Sequence, residues 1–523
     1  MIKNTLKGNK GNILQNCVIL FGSTYFSFVI YFSLCNTVRF FWIIPILIII
    51  ISFVFKRFSN SIKDAISLKE ITWSMGRNDE RIWLFMSIFL LVFLIQLIYW
   101  FAYFPGGFNL DSYGQWDQVH GLMAWNNWHP VLTTMIYWLI TRIIDDMAFC
   151  ILIQLVVFSL SISLLFCDIY MCGVPTYLLY LGALFIGINP AIAMNNVCLI
   201  KDVPFAIGTV WMLRTNLRII CSRGEWVKTK KCRIILIVEI LFLSLVRHNA
   251  IFLVFPYVIL LGVVYYCRYQ QFLRILFLSI FLLLLVEGPM FSTLGIKQHT
   301  NVVGEMVGVP MAAMVNSYVD DYENIPIDVK NFLENIAEDR EWKEKYIVGE
   351  WDSCKWDFGG IYLFEDESLR HILKMFVSTI RLCPQSTFES LRENTRVVWQ
   401  IVGECEWKTW VYIESNDYGI KEQQNVICRR ITDLIINISD TIVGSIFTWN
   451  IGTMIAIYLG IVVFLSSIHD YSFLPFILAI LSYDLLTMCL LSGPSHRYFY
   501  FNSILLIPIV IVLFGRIKCT KEC

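Results

Sequence analysis

The chain has 523 residues, 57% of them hydrophobic and only 16% charged, and its mean hydropathy is +0.63. Soluble domains carry about 25% charged residues, so an ordinary water-soluble globule is excluded and a polytopic, all-α membrane protein is implied. The 41 basic and 41 acidic side chains cancel, which leaves no electrostatic footprint for nucleic acid.

The N-terminal stretch "MIKNTLKGNKGN" is long and polar before its first apolar run, and no small-residue cleavage site follows. The first span is therefore read as retained rather than cleaved. Apolar segments recur near 13–34, 39–55, 82–104, 130–144, 147–167, 175–192, 203–219, 234–246, 250–266, 275–292, 449–466, 473–491 and 498–514. A full crossing takes about 20 such residues. Short basic loops stay in the cytoplasm, and the basic segments are the N-terminus, 56–81, 220–233, 267–274 and the tail "RIKCTKEC". All five fall on one side only if 130–144, "VLTTMIYWLITRIID", lies along the outer interface instead of crossing. The expectation is twelve spans with both termini cytoplasmic, and 234–246 and 250–266 form a helical hairpin around "RHN".

Four parts follow: an N-terminal pair of spans with a basic loop (1–81), a transmembrane core with outward loops (82–292), a mostly helical extracytoplasmic domain (293–448), and three C-terminal spans with a basic tail (449–523). A segment of about 150 residues is long enough for its own core. Most of the sixteen cysteines lie in apolar runs, where they act as small hydrophobes. Cys354, Cys383, Cys405 and Cys428 fall in the hydrophilic segment, where disulfides among them are allowed but unassigned; no CxxC or Cys/His zinc spacing occurs.

With this threading, the polar clusters at helix ends all face outward. Ionisable groups at membrane depth are expensive, so each stands as a functional candidate. In "FPGGFNLDSYGQW" the glycines permit a sharp bend that holds Asp111 just above the bilayer, where a carboxylate suits a general base; it equally suits the cap of a helix starting at "SYGQW". Asp117 is a weaker second acid. His129, before Pro130, either marks a helix start or contacts a phosphate or acceptor beside Asp111. Trp116, Trp125 and Trp128 fit an interfacial belt or a sugar platform. In "NNVCLIKDVPFA", adjacent Lys201 and Asp202 point apart on a helix, so each takes its own partner: a phosphate for Lys201, a metal or the acceptor for Asp202. "LVRHNAIF" offers Arg247 and His248, the arginine suited to bidentate phosphate contact or to snorkelling. "SHRYFYF" offers Arg497 and Tyr498, and "NVVGEMVGVP" a weaker candidate, Glu305. Carboxylate and cations on one face are the parts needed to displace a phosphate leaving group.

The order of "PGGFNLDSYGQW", "HP", "KD", "RHN" and "RY" resembles the GT-C superfamily of polytopic glycosyltransferases, which includes the protein O-mannosyltransferases and the aminoarabinose transferases of lipid A, and most closely an uncharacterised bacterial family placed there. The likeness covers roughly 82–520. It implies Asp111 in the catalytic position of the first outward loop and a sugar donor on a polyprenyl phosphate in the outer leaflet. It also implies an extracytoplasmic acceptor that is a glycan, glycolipid or protein. The side-by-side acidic pair of the mannosyltransferases is absent, since Ser112 follows Asp111. Metal dependence varies across the superfamily; Asp111 and Asp202 are the candidate ligands of a divalent cation such as Mg or Mn. The expected reaction is inverting transfer, with Asp111 as base, with Lys201, Arg247 and Arg497 on the leaving phosphate, and with His129 and His248 in support. The rival readings are a flippase or transporter of lipid-linked sugars, a polysaccharide polymerase or ligase, and a receptor without catalysis.

Overall fold

A computed structural model describes residues 9–63, 66–71, 73, 78–297, 302–364, 367–403 and 405–519. Each apolar segment becomes helical, as it must where no water is present to satisfy the backbone. In chain order the principal helices are α1 (Asn9–Leu34), α2 (Ile43–Lys63), α3 (Asn78–Ala102), α4 (Leu110–Val119), α5 (Val131–Thr141), α6 (Met147–Met171), α7 (Thr176–Ile188), α8 (Pro190–Asn196), α9 (Asp202–Cys221) and α10 (Lys230–Val246). They continue with α11 (Ile251–Val264), α12 (Tyr269–Leu285), α13 (Gly308–Asp320), α14 (Leu369–Leu382), α15 (Pro384–Asn394), α16 (Val426–Ser439), α17 (Ile442–Thr448), α18 (Ile451–Ser467), α19 (Leu474–Met488) and α20 (Phe501–Gly515).

The bundle has two chemically distinct ends. At one, Arg223 pairs with Glu70 and Arg268 with Glu225, while Arg516 reaches Asp470 at 2.6 Å and the Lys69 carbonyl at 2.9 Å. An antiparallel two-stranded clasp closes the same end, β1 (Ile66–Leu68) on β2 (Ile517–Cys519), in the register Ile66↔Cys519, Ser67↔Lys518 and Leu68↔Ile517. The basic segments of the described chain thus lie together. The loops bearing Asp111, His129, Lys201, Arg247 and Arg497 sit at the opposite helix ends. Around the waist, Ile49, Phe53, Trp83, Phe277 and Leu284 are each more than 60% exposed. Apolar surface of that extent belongs against lipid, not water.

Among the described residues, five helical segments are long and apolar enough to cross a membrane: Asn12–Leu34, Ile43–Lys63, Asn78–Ala102, Met147–Met171 and Tyr266–Thr293. Two bent pairs raise the number to seven: α7 with α8, bent by 59°, and α16 with α17, bent by 99°. The other expected crossings are shorter or more polar. α18, α19 and α20 have 17, 15 and 15 residues, or roughly 22–26 Å at 1.5 Å per residue against a hydrocarbon layer of about 30 Å. α5, with 11 residues, spans only about 16 Å. It leaves Leu139 exposed, as are Ile143 and Ile144 just beyond it.

The segment expected to form one outer domain is divided. Residues 307–383 have a core of their own around Met311, Val315, Trp342, Trp351 and Met375. The pair α16–α17 instead packs on the main bundle, chiefly against α3. Val426, Ile427, Leu434, Ile438, Ile442 and Val443 are left more than 55% exposed. Arg429, Arg430 and Asp433 interrupt the apolar residues in sequence, but the helix gathers the latter onto one stripe. Cys354, Cys383, Cys405 and Cys428 are all unbridged.

The Arg516–Asp470 contact is nearly buried, with 8% and 19% of the two side chains exposed. Removing one partner of such a pair costs about 3–5 kcal/mol. Arg516→Met is expected to lower the melting temperature of the detergent-solubilised protein clearly.

Candidate functional site

The chamber is assembled by backbone pairing between segments far apart in sequence. Gly107 donates to the Val197 carbonyl at 2.9 Å and accepts from Leu199 at 3.0 Å; Phe108 donates to Tyr412 at 2.9 Å and accepts from Glu414 at 2.7 Å. The loop after α3 is thereby held between the loop before α9 and an extended segment around Tyr412 and Glu414. Gly106 is required there: its φ is +129°, and a Cβ would lie 2.5 Å from the Val197 carbonyl oxygen, where no side chain fits.

The loop then enters α4. Asn109 is its cap, in a reciprocal capping box with Ser112, and Ser112 also donates to the Leu199 carbonyl at 2.7 Å. Asp111 is therefore not the cap; it lies in the first turn, where the helix dipole favours a carboxylate. Its Oδ2 accepts from Arg497 Nη1 at 2.9 Å and lies 3.7 Å from Lys201 Nζ. Lys201 in turn lies 3.1 Å from His129 Nδ1. Asp111, His129, Lys201 and Arg497, spread over 387 positions of the chain, converge on one spot.

Asp202 and Arg247 stand behind this group. They form an ion pair in which only 1% and 6% of the side chains are exposed, and the guanidinium sits over the rings of Phe205 and Tyr498 at 5.5 and 5.1 Å. Asp202 is thus occupied by a cation rather than facing a metal or acceptor. Arg247 is turned into the protein rather than toward a phosphate. Tyr498 links the two layers, because Arg497 also lies 5.1 Å from its ring and 3.4 Å from its hydroxyl. His248 donates Nε2 to the Asn127 carbonyl at 3.2 Å, fastening the loop before His129. Glu305 lies on the short helix Val302–Met306, and its side chain falls outside the described residues. Asp117 points elsewhere, accepting from Tyr418 at 2.7 Å. Trp116 is buried against Phe108 and His120, Trp125 meets Trp138, and Trp128 meets Trp356.

The extended segment 405–414 was not among the expected site elements. Its backbone pairs with Phe108, three residues before Asp111, and Thr409 donates to Asn195 at 3.1 Å. Its signal in the sequence was "WKTWVYIE", a β-branched and aromatic run inside an otherwise helix-favouring segment.

Electrostatics follow from this layout. Burial disfavours charge on Asp111, but Arg497, Lys201 and His129 outweigh it and hold its carboxyl well below the usual range. Arg497, itself desolvated, is raised by the same partner. Burial and the neighbouring Lys201 push His129 down to about 3 and lower His248 as well, so both imidazoles are neutral at pH 7. One carboxylate against two fixed cations leaves an excess positive charge beside a neutral histidine, a setting that attracts an anion such as a phosphate. A divalent cation fits poorly. Asp111 is flanked by two cations, Asp202 is taken, and among the described residues no group of three metal-ligating side chains converges.

The chain matches no protein-family model, no curated protein and no solved structure.

Asp202→Asn strands Arg247 in the interior and is expected to destabilise the protein by about 3–5 kcal/mol, with Asp202→Asn/Arg247→Met recovering most of the loss in thermal unfolding. His129 has a folded value near 3 and an unfolded value near 6.5. Between these pH values the unfolded chain takes up a proton that the folded chain refuses, so stability falls as pH drops from 6.5 toward 3. His129→Gln is expected to flatten that acid limb in unfolding measured from pH 7 to 4.5.

Proposed function

We propose that the protein is an inverting glycosyltransferase of the GT-C type, moving a sugar from a polyprenyl-phosphate donor to an extracytoplasmic glycan, glycolipid or protein. Asp111 is the general base, and Lys201 and Arg497 receive the leaving phosphate. The observation that carries the reading is the contact of one carboxylate with two cations at the mouth of an apolar bundle. The order of motifs adds support, since it resembles the order expected of that superfamily's outward loops.

The resting ion pairs need an explanation, because a carboxylate this acidic is a weak base. The donor provides it. Its phosphate competes with Asp111 for Arg497 and Lys201, and as the cations turn to the incoming anion the carboxylate loses its partners and its basicity rises. Asp111 then takes the proton of an acceptor hydroxyl as that oxygen attacks the anomeric carbon. The bond to the phosphate breaks on the opposite face, and the charge developing there meets donors already in place. Binding the donor thus creates the base only when there is something to attack. Asp202, Arg247 and Tyr498 position Arg497, and His129 accepts from Lys201 and aims its ammonium.

The alternation of helix ends supports a bundle of twelve passes in which α10, α11, α18, α19 and α20 cross a membrane thinned around them. Basic ends inside put both termini in the cytoplasm of a cell membrane and the chamber outside. The apolar waist meets the bilayer.

The test is reconstitution in vesicles with a panel of radiolabelled polyprenyl-phosphate sugars. Wild-type protein is expected to consume at least one donor. Asp111→Asn should reduce turnover at least about 10³-fold in protein that still elutes as a folded, monodisperse species, and Arg497→Gln should weaken donor binding. Full turnover by Asp111→Asn would remove the proposed base.

A further inference from the structure

The far end of the helix that carries Asp111 borders a cavity. His120 caps α4 nine residues beyond Asp111, about 13 Å along the axis. There His120, Gly121, Trp125, Trp138, Arg142 and Asp145 line an open hollow of about 340 Å³, a volume at the lower end of small-ligand sites. It shares no residue with the chamber around Asp111.

Three observations describe what it would hold. Trp125 and Trp138 meet edge to face at 6.5 Å, giving two indole surfaces of the kind that accept the C–H face of a flat polar ring. His120 Nε2 lies 2.9 Å from Asp145, whose side chain is 60% exposed, and the Arg142 guanidinium lies 4.9 Å from the Trp138 ring. Acceptors and donors therefore stand on the same wall, and the Asp145 and Arg142 charges cancel. An anion would call for a net positive site and a hydrocarbon for none of these groups; a neutral polyhydroxylated ring uses all of them. Finally, Leu122, Leu139 and Ile143 are exposed around the hollow, an apolar rim suited to the membrane surface.

We propose that this cavity is a carbohydrate-binding subsite, holding one sugar ring of the acceptor while another reaches Asp111. The term acceptor rests on the glycosyl-transfer reading; sugar binding itself does not. The rim favours a sugar carried on a lipid over a soluble glycan.

The full chain in phosphatidylcholine nanodiscs tests it, by saturation-transfer NMR with methyl glycosides and disaccharides of the common hexoses and N-acetylhexosamines. A second arm uses the same sugars on a dodecyl chain; a third uses inorganic phosphate and phosphatidylglycerol. At least one sugar is expected to bind. Asp145→Asn and Arg142→Met, both at surface positions, should each weaken it by about tenfold or more, with an unchanged melting temperature as the folding control. Tighter binding of the dodecyl form identifies a lipid-borne sugar, and equal binding a soluble glycan. The proposal fails if no sugar binds in either arm. It fails equally if both variants bind as wild type does, or if only the anions bind. Asp111→Asn, which removes transfer, should leave this binding intact, so the two readings stand or fall separately.

Discussion

A carboxylate at the rim of an apolar bundle is tolerable only with partners, and Asp111 has two. Arg497 comes from the turn before the last helix and Lys201 from the loop before α9, so one side chain ties together three parts of the chain. The surrounding structure serves that convergence. Gly106 allows the loops to close on each other, Ser112 fixes the start of α4 to the Leu199 carbonyl, and the extended segment at Tyr412 and Glu414 pairs with Phe108. The buried Asp202–Arg247 pair then sets the aromatic floor on which Arg497 rests through Tyr498. Few of these groups touch a substrate in the proposed reaction. They decide where the few that do are found.

The same economy separates the two ends of the molecule. Salt bridges at the basic end, Arg223–Glu70, Arg268–Glu225 and Arg516–Asp470, tie loops and the tail to one another. At the other end, Asp111 meets two cations that arrive from distant parts of the chain. The proposed transfer uses the excess positive charge that this convergence leaves.

Much of this was legible in the sequence because membrane depth makes charge conspicuous. Asp111, His129, Lys201 and Arg497 each interrupt or terminate an apolar run, and the sorting of basic loops puts them on a common face. Pairing was not legible. Lys201 and Asp202 are neighbours that point apart, but nothing in "LIKDVPFA" or "LVRHNAIF" says that Asp202 meets Arg247 and so withdraws both from solvent. The bent pair α16–α17 was not legible either, because its apolar residues lie four and seven apart among Arg429, Arg430 and Asp433, below the reach of a running average. The cap of α4 was misread by two residues, since Asn109 and Asp111 are chemically equivalent candidates and only the backbone distinguishes them.

The distance in sequence between Asp111 and its partners has a temporal side. Translation proceeds at about 5–20 residues per second. Lys201 therefore follows Asp111 into the membrane after roughly 5 to 18 s, and Arg497 only after roughly 19 to 77 s. During that interval the nascent acid has one cation rather than two, while the half-built mouth stays open to water. The chamber can be completed only when the final helix has left the ribosome, and a chain that stalls before it carries a carboxylate that has never met its strongest partner.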